Sequence, residues 1–121
     1  MKILESAENY LEAVLIIKEE KGRVRSVDIA NYLGFSKPSV SVAMKQLESN
    51  GYILKDEDGH IFLTDEGMSI ASKIYERHSL LSQLFIKLGV SEKTAREDAC
   101  KVEHDISPET FECIKKHFNT L

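Results

Sequence analysis

The chain has 121 residues, with 16 Lys and Arg against 20 Asp and Glu and a formal net charge of −4, the size of one domain or one domain with a small appendage. Its 42% hydrophobic and 30% charged residues make a core-forming chain rather than a disordered one, and no apolar run approaches the roughly 18 residues that a membrane span needs. The acidic balance excludes a protein that coats polyanions by bulk charge.

Apolar Tyr10, Leu11, Val14, Leu15 and Ile17 recur at helical spacing, so a first helix is expected to follow Ser6 as its cap and stop at Gly22. A second is expected from Ser26, as cap, to Leu33, with Val27, Ile29, Ala30 and Leu33 inward; Gly34 breaks it. Ser36 opens a third, with Pro38 in the first turn, where a missing N–H costs nothing. Val40, Ala43, Met44 and Leu47 form its inward stripe and Asn50-Gly51 its end. The period then changes: 52–55 and 60–63 read as two short strands around an Asp-Gly turn. A long helix is expected from Asp65 to Leu88, another from about Glu92 to His104 after Ser91, and a last one from Ser107-Pro108-Glu109 to about Phe118.

This order predicts a mainly α chain: an N-terminal winged helix-turn-helix over 1–64, followed by a helical domain over 65–121, whose long helix suits dimerisation and whose Cys100, Glu103 and His104 suit metal binding. The long helix after the wing has more apolar stripe than so small a domain covers, which predicts a homodimer. Charge is local. Between Lys18 and Lys45 six basic residues stand against Glu19, Glu20 and Asp28. In a helix-turn-helix the N-terminal turn of the second helix meets a major groove. That places Ser36, Lys37, Pro38, Ser39 and Ser41 at the tip and Lys45 one turn on, with Arg25, Arg23 and Lys55 towards the DNA backbone. The wing tip Asp56-Glu57-Asp58 repels phosphate, so it is not expected to insert deeply. The same three helices, without their charges, also suit protein contacts.

Cys100, Glu103 and His104 are spaced i, i+3, i+4, which on a helix gives thiolate, carboxylate and imidazole one face. That mixture suits a transition metal rather than Ca2+ or Mg2+, which take oxygen donors throughout. One helix rarely completes a coordination sphere; His78 on the long helix and Glu8, Asn9 and Glu12 on the first are further donors. The same residues also read as a solvated helix face, with His78 a surface histidine beside Arg77. Cys113 reads as a small packed hydrophobe.

Asn9-Tyr10-Leu11-Glu12, Val27-Asp28-Ile29-Ala30, residues 36–41, Leu63-Thr64-Asp65-Glu66-Gly67, Arg77-His78 and the block 97–107 resemble, in this order, the diphtheria toxin repressor family of metal-dependent regulators, including the manganese transport regulators. The resemblance covers nearly the whole chain. It implies a homodimeric repressor that binds double-stranded operator DNA when loaded with Fe2+ or Mn2+ and controls metal-uptake genes. Position by position, it places metal ligands at Asn9, Glu12, His78, Cys100, Glu103 and His104. Iron-type members have Met at the position of Asn9 and Cys at that of Cys100; manganese-type members have Asp and Glu, and Glu12 follows the manganese type. Ser82 and Arg96 stand where the iron-type ancillary site has acidic and His partners, so that site is not expected. The end at Leu121 suggests the short form of the family.

Cys100 favours Fe2+, with Mn2+ close behind and Co2+, Ni2+ or Zn2+ as surrogates. The first residues lack a signal-peptide pattern and the two cysteines form no scaffold, which predicts a cytoplasmic protein. No enzyme activity is expected: Cys100 and His104 have no oxyanion hole or cleft to serve. The alternative is a metal-independent winged-helix regulator answering to a small organic ligand.

Overall fold

The computed structural model describes residues 5–120. In chain order it forms α1 (Glu5–Lys21), α2 (Ser26–Leu33), α3 (Lys37–Ser49), β1 (Ile53–Lys55), β2 (Ile61–Leu63), α4 (Asp65–Lys87), α5 (Glu92–Val102) and α6 (Pro108–His117), then a 3-10 turn at Phe118–Thr120. This is the expected mainly α winged helix-turn-helix with a helical continuation. Two compact units divide within α4, between Ser72 and Lys73.

The first unit is built on the apolar stripes of three helices and a hairpin. Leu11, Val14 and Ile17 of α1, Ile29 of α2, Val40 and Met44 of α3, and Ile53 and Ile61 of the wing are all nearly inaccessible. Each such side chain contributes about 1.5–3 kcal/mol of transfer free energy. The α2–α3 turn depends on Gly34, whose φ of 74° is left-handed; its N–H closes the helix on the Ala30 carbonyl at 2.9 Å. Phe35, next in the turn, packs edge-on against Tyr10 of α1, with ring centroids 5.9 Å apart.

The wing is antiparallel, pairing Ile53 with Leu63, Leu54 with Phe62 and Lys55 with Ile61. The Ile61 N–H donates to the Val24 carbonyl at 2.8 Å, tying the hairpin to the α1–α2 connection. At its tip the Asp56 carboxylate accepts from the backbone N–H groups of His60 and Asp58, which hold its pKa below the ordinary value. Thr64 ends the wing and caps α4: its hydroxyl donates to the Gly51 carbonyl at 2.7 Å and accepts from the Gly67 N–H at 3.1 Å. Gly67 is required there, because a Cβ would run into the Tyr52 carbonyl.

The second unit packs Ile74 and Leu81 of α4, Ala95 and Ala99 of α5, and Phe111 of α6. Lys115 of α6 pairs with Glu76 of α4 at 2.7 Å, and that hydrogen bond and charge raise the lysine pKa. Ser107 caps α6, accepting from the Thr110 N–H at 3.1 Å, with Pro108 beginning the helix.

Several expectations need correcting. Ser6 lies inside α1, not before it. Ser26 is the first helical residue of α2, and the cap is Arg25, whose N–H donates to the Asp28 carboxylate at 3.0 Å; this is the half of a capping box that an acidic residue three positions on supplies, with no serine hydroxyl involved. Val27 is exposed rather than inward. Cys113 is exposed on α6, not packed. The helix expected to reach His104 ends at Val102, and Ser91 at its N-terminus makes no side-chain capping bond.

Candidate metal centre and nucleic-acid interface

α5 places Cys100 on its last turn, and Glu103 caps the helix with φ −58° and ψ −27°. The near-helical dihedrals keep Cys100 and Glu103 on one side although the helix has stopped. His104 follows in the turn leading to Ser107-Pro108, so it does not share a helix face with them as its spacing had implied. His78 comes from α4. One donor atom each of His78, Cys100 and Glu103 lies within 4.8 Å of the others. Donors about 2.0–2.3 Å from a common ion are separated by no more than about twice that distance.

Glu103 is the centre of the group. It is fully buried, an expensive place for a carboxylate. His78 Nδ1 lies 2.9 Å from Oε2, and His104 Nε2 lies 3.4 Å from Oε1. Oε1 receives no hydrogen bond. A buried carboxylate with one imidazole at each oxygen, a thiol in the same cluster and one oxygen that receives no hydrogen bond fits a divalent transition metal. The main-chain carbonyls of Glu103 and Ile106 are held by Arg77, which the sequence offered only as part of the Arg77-His78 motif, without this role.

Of the remaining candidates, Asn9 is half-buried and Glu12 buried, both on α1 and so in the first unit. Ser82 is buried one turn after His78, and Arg96 turns to Glu92 at 3.2 Å. Neither supplies the donors of an iron-type ancillary site. Among the described residues, Asp56, Asp58 and His60 also cluster; the hydrogen bonds of the wing turn account for that grouping.

On the first unit, Arg25, Ser36, Lys37, Pro38, Ser39, Ser41 and Lys45 are all exposed. The Ser36 hydroxyl is committed to capping α3: it accepts from the Ser39 N–H at 3.3 Å and donates to the Ser39 hydroxyl at 2.8 Å. Pro38 has no N–H, so few amides of this first turn are left to meet a phosphate. Lys37, Ser41 and Lys45 therefore carry the outward chemistry of α3, joined by Val42, which is 58% exposed. Sequence reasoning passed over Val42 because an apolar residue beside an inward stripe looks like core. Next to α2, Lys21, Arg23, Arg25, Val27 and Asp28 line a groove of about 350 Å³.

Among the described residues no helix is long and apolar enough to cross a membrane. Residues 2–61 match the iron dependent repressor N-terminal DNA binding domain, and residues 64–121 match the iron dependent repressor metal binding and dimerisation domain. The transcriptional regulator MntR of Salmonella typhimurium is 38% identical over 110 residues, covering 91% of this chain and 70% of that protein. The HTH-type transcriptional regulator MntR of Geobacillus kaustophilus is 34% identical over 102 residues, covering 84% and 72%. The solved structure of the manganese regulator SloR aligns with a TM-score of 0.80 at 29% identity, over 93% of this chain and 53% of that one. That of T. acidophilum IdeR aligns at 0.82 with 24% identity, a likeness of fold, over 98% and 55%. The chain spans about half the length of both structures. With a DNA-binding domain and a metal-binding and dimerisation domain matched in succession, the chain belongs to the iron-dependent repressor family and is a metal-dependent transcriptional repressor.

Proposed function

We propose that the protein binds operator DNA as a homodimer when loaded with Fe2+ or Mn2+ and so controls genes for metal uptake. The observation that carries this reading is Glu103, a fully buried carboxylate set between two imidazoles and beside a thiol. A bound divalent ion would place positive charge beside this buried carboxylate. His78 and Glu103 orient each other, Cys100 adds a soft donor, and His104 faces the second carboxylate oxygen. Asn9 and Glu12 are proposed as further donors on the strength of the family resemblance and of the buried Glu12 carboxylate.

The functional boundary is placed between residues 64 and 65. Residues 1–64 read DNA: Lys37, Ser41 and Lys45 face the major groove, with Ser36, Pro38 and Ser39 shaping the tip and Arg25 on the phosphate backbone. Val42 suits a thymine methyl. Residues 65–121 dimerise and bind metal; Ile86 and Leu88, exposed at and just beyond the end of α4, fit a dimer surface. Relatives named as manganese regulators support Mn2+, and Cys100 supports Fe2+. Membership of a regulator family supports a cytoplasmic protein without enzyme activity. The rival regulator with an organic effector needs an apolar pocket. The 330 Å³ groove of the second unit has Pro108 and Phe111 in its lining, but five charged side chains, Lys73, Glu76, Arg77, Glu112 and Lys115, edge it.

The test is duplex binding under anaerobic conditions, using a sequence enriched from a random library by the Mn2+-loaded protein. Stripping the metal with chelator is expected to weaken binding by about 100-fold, which corresponds to about 2.7 kcal/mol of coupling. Equal affinity with and without chelator overturns the proposal in favour of the organic effector. In the same assay Arg25→Ala is expected to lower the slope of log K against log salt by about 1, as loss of one phosphate contact requires. An unchanged slope removes Arg25 from the phosphate backbone.

A further inference from the structure

We propose that Arg77 is a positioning residue of the metal centre, holding the main chain of the Glu103–Ile106 turn while its neighbour His78 holds the Glu103 carboxylate. The inference deepens the metal-binding reading above and rests on it. Arg77 Nη1 donates to the Glu103 carbonyl at 3.1 Å and to the Ile106 carbonyl at 2.9 Å. Its guanidinium carbon lies 5.4 Å from the centroid of the Phe111 ring. One side chain of α4 thus engages both the end of α5 and the start of α6.

The end of α5 creates the need for it. The last carbonyls of a helix have no intrahelical donor; here α5 stops at Val102, whose carbonyl accepts from the Asp105 and Ile106 N–H groups, and the Glu103 carbonyl just beyond the end accepts from Arg77. Glu103 is fully buried, so its carbonyl requires a partner from the protein. A cation at a helix C-terminus is also favoured by the helix dipole. One nitrogen with two hydrogens meets two carbonyls three residues apart, and so sets the span between them. Within that span lies His104, its side chain 2% exposed, with Nε2 3.4 Å from Glu103 Oε1. Consecutive residues of α4 therefore restrain Glu103 at both ends, Arg77 by its carbonyl and His78 by its carboxylate at 2.9 Å.

Electrostatics and positioning make opposite predictions. Removing a cation near a dication site tightens metal binding if Arg77 acts only through its charge. Binding weakens if Arg77 holds the donors in place, since outer partners of a metal site are typically worth 10–100-fold in affinity. The experiment is an anaerobic Co2+ titration of the reduced, metal-free full chain, read by absorption spectroscopy. Arg77→Met, which keeps the stem over Phe111, is expected to weaken Co2+ binding by about tenfold and to shift the ligand-field bands. Arg77→Lys is expected to recover part of both, because an ammonium keeps the charge but lacks the planar fork. Tighter or unchanged binding by Arg77→Met, with unshifted bands, overturns the inference while the metal reading stands. If Arg77→Met fails to fold, Arg77→Lys carries the test alone, and affinity and bands identical to wild type overturn the inference. A wild-type chain that binds no Co2+ overturns both readings.

Discussion

Glu103→Gln is expected to leave the chain folded and to abolish its metal response, with affinity for Mn2+ or Co2+ falling by at least about 100-fold. The reason is the position of the carboxylate. Glu103 is fully buried, with one oxygen 2.9 Å from His78, while the other receives no hydrogen bond and lies 3.4 Å from His104. Gln keeps the shape and discards the charge, so the metal-free variant melts at or above the wild-type temperature. A purely structural ion pair predicts the reverse, because removing one partner of a buried pair costs about 3–5 kcal/mol. At metal concentrations 100 times Kd the wild type gains about 2.7 kcal/mol of stability, and the variant is expected to gain none. Thermal melts with and without Mn2+ separate the two cases. A variant that melts lower than wild type yet keeps the full metal shift removes Glu103 from the ligand set.

Cys100→Glu is expected to move the metal preference towards Mn2+ by about tenfold or more relative to Co2+, which is about 1.4 kcal/mol. Cys100 supplies the soft atom of the three donors that lie within 4.8 Å of one another. Replacing it with a carboxylate leaves oxygen and imidazole donors. The companion measurement is the thiolate-to-cobalt charge-transfer band, expected to vanish in Cys100→Ser and to persist in Cys113→Ser. Both cysteines are exposed, so accessibility alone does not separate them. An unchanged metal ranking in Cys100→Glu places the thiol outside the coordination sphere.

Legibility in the sequence follows the range of the interactions involved. The caps at Ser36 and Ser107 were readable because a hydroxyl and the N–H three residues on make a local bond. Ser26 misled for a related reason: Asp28, equally local, captured the N–H of Arg25 instead. Val27 shows the limit of periodicity, which identifies an apolar face without saying what covers it. Cys113 was misread in the same way.

The candidate site divides similarly. The spacing of Cys100, Glu103 and His104 announced the donor chemistry, His78, Glu8, Asn9 and Glu12 were readable as further donors, and the family resemblance kept His78, Asn9 and Glu12 of these. Spacing placed His104 on a helix that in fact stops two residues earlier. Arg77 was invisible as a structural partner, because its bonds reach 26 and 29 residues along the chain. Sequence alone determined the order of elements, the winged helix-turn-helix, the polar tip of α3 and the donor types, since each rests on contacts within a turn or two. Only the tertiary structure decided that Glu103 is wholly buried, that two histidines flank its carboxylate and that Arg77 holds its carbonyl. Burial and long-range hydrogen bonds belong to the packed chain, and no local pattern encodes them.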